Sequence, residues 1–517
     1  MFNTKSFLNI FKKIAILSFY VFSLLLIISC KSCTTSPEQG DLSGTVLLEL
    51  EEDNSGITIG VYHLAELDPK IVEINNEYDH PLIGVIINQH TEFDHRFGNL
   101  IKSTTTNASG HFNINDIPTG KYNVVAIKDS FGFKYIYEIN VSKGDNELSE
   151  NIALYEEHHL NQEDITEDWI FQTDHHYIIG SEEENSINFA PDTNLEIQPG
   201  AVVRINPEVD LTIHGTLTAQ GEENNMFWVT SNDGFSQDPI PNTLNRDEVE
   251  LYHRMELTEN CNIKNDLIEW GKFDWANTGL YNEIDGFSIA DCIFRNSVCG
   301  FHSYEVTLTT VSNLLCWDIS DAEYAGIHFN QVEYGKIEKN IVLDCVNGFK
   351  IENNFSGEIE NNFFSSKLEM NSGIELWDVP GSSVSNNEFN NFYDIKLTGA
   401  RDSGQSEIKI ELNNFRGDNG FCQFSFVGYD NYDCLVNIEN NNFFNNSKFI
   451  IHNSNYCDTP PEPEKYIFLN NNYLNGLTDT VDIIENWIEL VKPWTLVNRV
   501  KVDTIISIID TTGIIGD

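Results

Sequence analysis

Between residues 301 and 452 apolar side chains recur two apart, with polar ones between them. The segments are Phe301-His-Ser-Tyr, Ile327-His-Phe-Asn, Phe349-Lys-Ile-Glu, Ile374-Glu-Leu-Trp, Ile395-Lys-Leu-Thr, Phe421-Cys-Gln-Phe and Phe449-Ile-Ile-His. A period of two marks a strand with one buried face. The segments start 26, 22, 25, 21, 26 and 28 residues apart, the length of one solenoid coil with loops of variable size. Each repeat adds a second short strand ending in Asn-rich text: Ile359-Glu-Asn-Asn-Phe-Phe, Val384-Ser-Asn-Asn-Glu-Phe, Ile438-Glu-Asn-Asn-Asn-Phe. Equivalent residues of stacked coils lie about 4.8 Å apart. An Asn at an inward turn therefore bonds the Asn above it and the local backbone. This predicts a ladder through Asn354, Asn362, Asn387, Asn414, Asn441 and Asn471, with the following aromatic stacked into the core.

Upstream, residues 194–234 alternate short strands with Gly and Pro turns: Leu195-x-Ile197, Gly200-Ala-Val-Val-x-Ile205, Leu211-x-Ile213, Gly215-x-Leu217. Ile197, Pro199, Gly200, Gly215, Thr216, Leu217, Ala219 and Gly221 resemble the entry coils of right-handed parallel β-helix proteins. The resemblance covers about 170–490 and includes pectate-lyase-like and periplasmic copper-maturation relatives. It implies fold more than function, because one scaffold hosts many activities.

Residues 42–154 read differently. LSGTVLLEL and ITIGVYHL are strands, and 104–129 alternates strand and turn through Asn107–Gly110 and Ile117–Gly120. Gly110, Phe112, Ile117, Pro118, Gly120 and Tyr122 resemble the Gly-x-Phe and Ile-Pro-x-Gly-x-Tyr signature of the carboxypeptidase-regulatory-like, transthyretin-like β-sandwich. That resemblance implies a stalk or spacer. A long insert at 67–98 holds His80, His90, His95, Asp79 and Asp94 at spacings that fit no metal motif, and it reads as a polar loop.

The fold class is therefore all-β: a small β-sandwich followed by a single-stranded, right-handed parallel β-helix. The division reads as signal peptide 1–29, lipidated tether 30–41, sandwich 42–154, acidic linker 155–169, β-helix 170–480 and C-terminal cap 481–517, with a closing helix at 481–488. The sandwich is expected at the end of the rod opposite the cap. The signal is a basic segment followed by the apolar run IAILSFYVFSLLLII, too short to be read as a spanning helix. Leu26-Ile-Ile-Ser-Cys30 resembles the bacterial lipoprotein box. It implies acyl chains on Cys30, a bilayer as partner and a cell-envelope site, with the polar tether favouring the outer membrane.

Composition narrows the chemistry. A formal net charge of −50, with 80 Asp+Glu against 30 Lys+Arg, repels nucleic acid and anionic headgroups. Ten Cys occur, and apart from Cys30, the residue the lipoprotein box assigns to acylation, no two form a CxxC. Removing Cys30 leaves nine, so at least one is unpaired within the monomer, and the apolar surroundings of several, as in DCIF and LLCW, favour buried thiols over disulfides.

On the repeat strands the first and third residues should face in, and the second and fourth out. The outward second positions are His302, His328, Lys350, Glu375 and Lys396; the fourth are Tyr304, Asn330, Glu352, Trp377 and Thr398. Glu352 and Glu375 are the candidate acid and base on an exposed face. Lys350, Trp377, Lys396, Tyr304 and His328 are candidate contacts for a polysaccharide. No cofactor is indicated by a motif. Calcium is the ion the acidic stretch Asp318, Asp321 and Glu323 admits, without the twelve-residue loop of an EF hand. Two functions follow: a surface lipoprotein whose rod binds polysaccharide or a partner, and a polysaccharide lyase or glycoside hydrolase on the same rod. A copper-maturation role finds no support here, since Met numbers four and His is not clustered along the chain.

Overall fold

The computed structural model describes residues 38–77, 83–181, 183–235, 249–320, 323–366, 372–377, 379, 381–390, 393–398, 407–417, 423–427, 435–445, 448–452, 467–474, 488–491 and 500–505. Gln39–Leu48 alternates exposed and buried residues and pairs antiparallel with His111–Pro118. It faces a four-stranded sheet built from Thr58–His63, Leu100–Thr105, Gly120–Lys128 and Gly132–Val141. The signature residues do structural work. Phe112, Ile117 and Tyr122 are in the sandwich core, and the Tyr122 hydroxyl donates to Pro118 O at 2.7 Å.

The rest is a right-handed parallel β-helix. Its longest sheet runs through 13 strands, from Asp164–Ile165 to Ile488–Val491. Each coil passes from this first sheet to a second, then a third, as in Cys299–Tyr304, Leu308–Ser312 and Leu315–Ile319. The predicted starts Phe301, Ile327, Phe349, Ile374 and Ile395 are register partners in turn. The next partner is Phe424, not Phe421, and Phe449 follows it. A glycine precedes Phe301, Ile327, Phe349 and Ile374, where successive coils approach closely: a Cβ on Gly300 would lie 2.4 Å from Gly326 O.

The Asn text has two jobs. Lys339, Asn361, Asn386, Leu412 and Asn440 take left-handed φ of 55–59°. The residue after each is a fully buried Asn: 340, 362, 387, 413 and 441. Asn362 donates its backbone N–H and Nδ2 to Asn387 Oδ1, at 2.9 and 3.0 Å, and Asn387 does the same to Asn413. Asn413 in turn bonds Asn441. The rung is therefore Asn413, which corrects Asn414. Asn414 stands one residue on and bonds Glu388 Oε2 and Asn442. Asn354 takes a left-handed φ of 69°. Asn471 lies in the strand Ile467–Leu474. Phe364, Phe389 and Phe415 stack within at 4.8 and 5.0 Å.

Three other expectations are corrected. Residues 155–169 are not a free linker, because His158–Leu160, Asp164–Ile165 and Trp169–Phe171 pair with the first full coil. The closing helix expected at 481–488 falls, over 481–487, outside the described residues, while Ile488–Val491 and Val500–Ile505 continue the sheets in parallel, the second lying within 491–512, where one or two added strands are expected. The insert is not a polar loop. Pro69–Glu77 is a helix, and Ile71, Ile74, Ile83, Val85 and Ile87 pack on Ile293, Leu315, Ile341, Leu343 and Phe363 of the third sheet. Each such side chain contributes roughly 1.5–3 kcal/mol. The sandwich is thus clamped along the side of the rod.

Ion pairs complete the clamp. Glu92 meets Arg295 at 3.0 Å. Arg96 pairs with Asp94 at 2.9 Å and donates to Ser231 O and Asp233 O. His95 is buried beside them, its Nδ1 2.6 Å from the Tyr135 hydroxyl, and His176 Nε2 lies 2.8 Å from Phe133 O. Burial pushes the His95 pKa down to about 3, and pushes His176 well below its usual value. Both folded values lie below the unfolded one, so this stability is full above about pH 6.5 and is lost as pH falls towards 3. The expected result is a junction that weakens in acid, His95 alone contributing a loss on the order of 3 kcal/mol at pH 4. Thermal melts at pH 7, 5 and 4 check it; a flat melting temperature contradicts it.

Candidate metal centre and the groove around it

The outward row of the first sheet is Tyr281, His302, His328, Lys350, Glu375 and Lys396, in register. Beside it run Tyr304, Asn330, Glu352, Trp377 and Thr398. Inward partners such as Phe301, Phe329, Phe349, Ile351, Ile374 and Leu376 are fully buried, so the alternation places each row as the sequence predicts.

The face is less open than its polarity suggests. His302, His328 and Glu375 are 9%, 4% and 5% exposed. The two imidazoles stack at 4.2 Å and 13°. Tyr281 meets His302 edge-on at 4.9 Å, and Tyr324 lies 5.9 Å from His328. A groove of about 560 Å³ runs past them, lined by His302, Tyr324, His328, Lys350, Glu375, Trp377 and Lys396. Tyr304 stands beside it, its ring 6.4 Å from that of His302. Trp377 is 40% exposed.

The proposed acid and base are both engaged by cations. Glu375 accepts from Lys396 at 2.6 Å, and its burial corrects the expected exposure. Glu352 Oε2 lies 2.8 Å from His328 Nε2, and Oε1 3.2 Å from Lys350. Burial alone would raise the Glu352 pKa, but the His328 hydrogen bond and the neighbouring His328 and Lys350 charges outweigh it and hold the carboxyl below its ordinary value. Glu352 is thus ionised near neutral pH and does not serve as the proton donor that two-carboxylate hydrolysis needs.

An ionised carboxylate only accepts, so His328 Nε2 is the donor of that hydrogen bond. His328 Nδ1 is buried with no hydrogen-bond partner, and so is His302 Nε2. Burial, then the His328, Arg254 and Lys350 charges, push the His302 pKa down to about 2, so this ring is neutral. Cys299 begins the same strand as His302. One donor atom from each of Cys299, His302 and His328 lies within 4.8 Å of the others, the one such metal-competent group among the described residues. A cluster able to hold a metal ion is therefore present where the sequence reading placed none. Among the described residues Asp318 and Glu323 join no such group, and Asp321 lies outside them. Cys299 was missed because the repeat was started at Phe301; the signal was the Cys-x-x-His spacing of 299 and 302.

One comparison bears on this region. Residues 228–418 match the family model described as periplasmic copper-binding protein (NosD). That stretch contains all three donor residues and most of the groove. No curated protein and no solved structure matches the chain.

Proposed function

We propose that the protein is a metal-binding β-helix of the cell envelope, and that Cys299, His302 and His328 hold copper(I). The carrying observation is the pair of buried, unpartnered imidazole nitrogens beside a thiol. Leaving such atoms unsatisfied costs about 1–3 kcal/mol each, which an ion bound there would offset. Thiolate and imidazole suit soft or borderline ions, and a small donor set of this kind suits copper(I). Calcium asks for six to eight oxygens, so the donors present do not fit it. Binding releases the thiol proton. Glu352 orients His328 through its far nitrogen, and Lys350 holds Glu352 in place, the usual outer support of a metal-bound His. The match to a copper-binding family and the lipoprotein-like start support an envelope location. The finer proposal is outer-membrane anchoring through acylated Cys30, which lies outside the described residues. Fatty-acid labelling tests it: the label should vanish in Cys30→Ala, and equal labelling would sink it.

The main test is a competition titration of the whole protein against a chromogenic copper(I) chelator under reducing conditions. One equivalent withdrawn from the chelator is expected. No withdrawal would overturn the proposal.

Exposed Trp377 beside Lys350 and Lys396 favours a second reading, a polysaccharide lying along the same groove. The indole offers a flat apolar face to a sugar ring, and the lysines suit an anionic one. Trp377→Ala should weaken binding of such a polysaccharide at least about tenfold, an effect of about 1.4 kcal/mol. Unchanged isotherms with a glycan that binds the parent would remove this reading. A lyase or glycosidase on this face would further need a carboxyl freed from Lys350 or Lys396.

A further inference from the structure

A second cavity, of about 740 Å³, opens where the sandwich insert meets the third sheet of the rod. It shares no lining residue with the groove at the metal centre, and its reading is independent of that one. Phe97, Trp275 and Trp317 supply aromatic walls, and Glu92, Arg295 and Asn296 supply polar ones. Phe97 and Trp275 lie 5.1 Å apart at 30°. The volume and the position between two domains are those of small-molecule sites.

The charges at its base are already matched. Arg295 is held by Glu92 at 3.0 Å and Asp274 at 3.4 Å, and Asp94 by Arg96 at 2.9 Å. A ligand bringing a full charge would therefore find no buried counter-charge left for it; Lys121 and Glu66, also in the lining, are exposed, and Lys121 is paired with Glu138 at 3.4 Å. Two polar atoms are left over. Glu92 Oε1, on a side chain 4% exposed, and Trp275 Nε1, on a residue 5% exposed, have no hydrogen-bond partner. The first needs a donor and the second an acceptor. A hydroxyl is both. Aromatic walls add apolar faces suited to the C–H face of a pyranose ring.

We propose that this cleft binds a neutral sugar, one ring seated between the aromatic walls with hydroxyls directed at Glu92 and Trp275. The test uses the full chain, titrated with glucose, galactose, N-acetylglucosamine and maltose, with glucuronate as the charged arm. Binding is read by tryptophan fluorescence and calorimetry. Saturable quenching by at least one neutral sugar is expected, weakened at least tenfold in Trp317→Phe and unchanged in Tyr334→Ala, whose exposed ring lines neither cavity. The Phe substitution keeps a ring packed against the insert, and its melting temperature reports the fold. The proposal is overturned if no neutral sugar gives saturable heat or quenching, if only glucuronate binds, or if Trp377→Ala abolishes the signal while Trp317→Phe keeps it.

Discussion

Cys299→Ser is expected to weaken copper(I) binding by more than about 100-fold, while Glu352→Gln costs about 10- to 100-fold, because the first removes a ligand and the second only its support. Ser is close to Cys in shape, so the fold should survive even though Cys299 is fully buried and the new hydroxyl carries a modest cost. His302→Ala should act like Cys299→Ser. Glu352→Gln still offers His328 a hydrogen-bond acceptor but no charge, so its smaller effect separates orientation from ligation. Trp377→Ala lines the groove without offering a donor and should leave copper affinity unchanged. The measurement is the chelator competition, run on all four variants after their circular dichroism is matched. If Glu352→Gln proves as damaging as Cys299→Ser, or Cys299→Ser binds like the parent, the ligand assignment fails.

Asn387→Leu should be among the most destabilising single changes in the rod. Asn387 Oδ1 accepts from Asn362 N–H and Nδ2. Its Nδ2 donates to Asn413 Oδ1 and Ile359 O, each at 3.0 Å. Leucine fills the volume but strands those donors and acceptors without water, at about 1–3 kcal/mol each. Summed without full additivity, the loss is on the order of 4 kcal/mol. Asn386→Ala should cost less, because it only forces Ala into the left-handed φ of 55° that Asn tolerates. Denaturant midpoints compare the two. A midpoint unmoved by Asn387→Leu would mean the ladder does not form.

Much of the fold was legible because one period governs it. Alternation placed His302, His328, Lys350, Glu375 and Lys396 in one row, and the register agrees. The errors have local causes. Phe421 and Phe424 are three apart with a polar residue between, so the alternation did not choose between them. In the doublets 361–362 and 386–387 the second Asn is the rung. The same reading of 413–414 picks Asn414, because the left-handed turn there is made by Leu412, which carries no Asn signal. The clamp was hidden because the isoleucines of the insert, Ile71, Ile74, Ile83 and Ile87, look scattered until a helix and the rod surface gather them. The metal cluster was hidden for the same reason. His302 and His328 are 26 residues apart in sequence and 4.2 Å apart as stacked rings.

X-ray absorption at the copper edge of the copper(I)-loaded protein reads the ligand atoms themselves. One sulfur and two imidazole nitrogens are expected around the copper, with the sulfur gone in Cys299→Ser and one nitrogen gone in His302→Ala. A shell of oxygens, or a parent spectrum that persists in both variants, would contradict that ligand set.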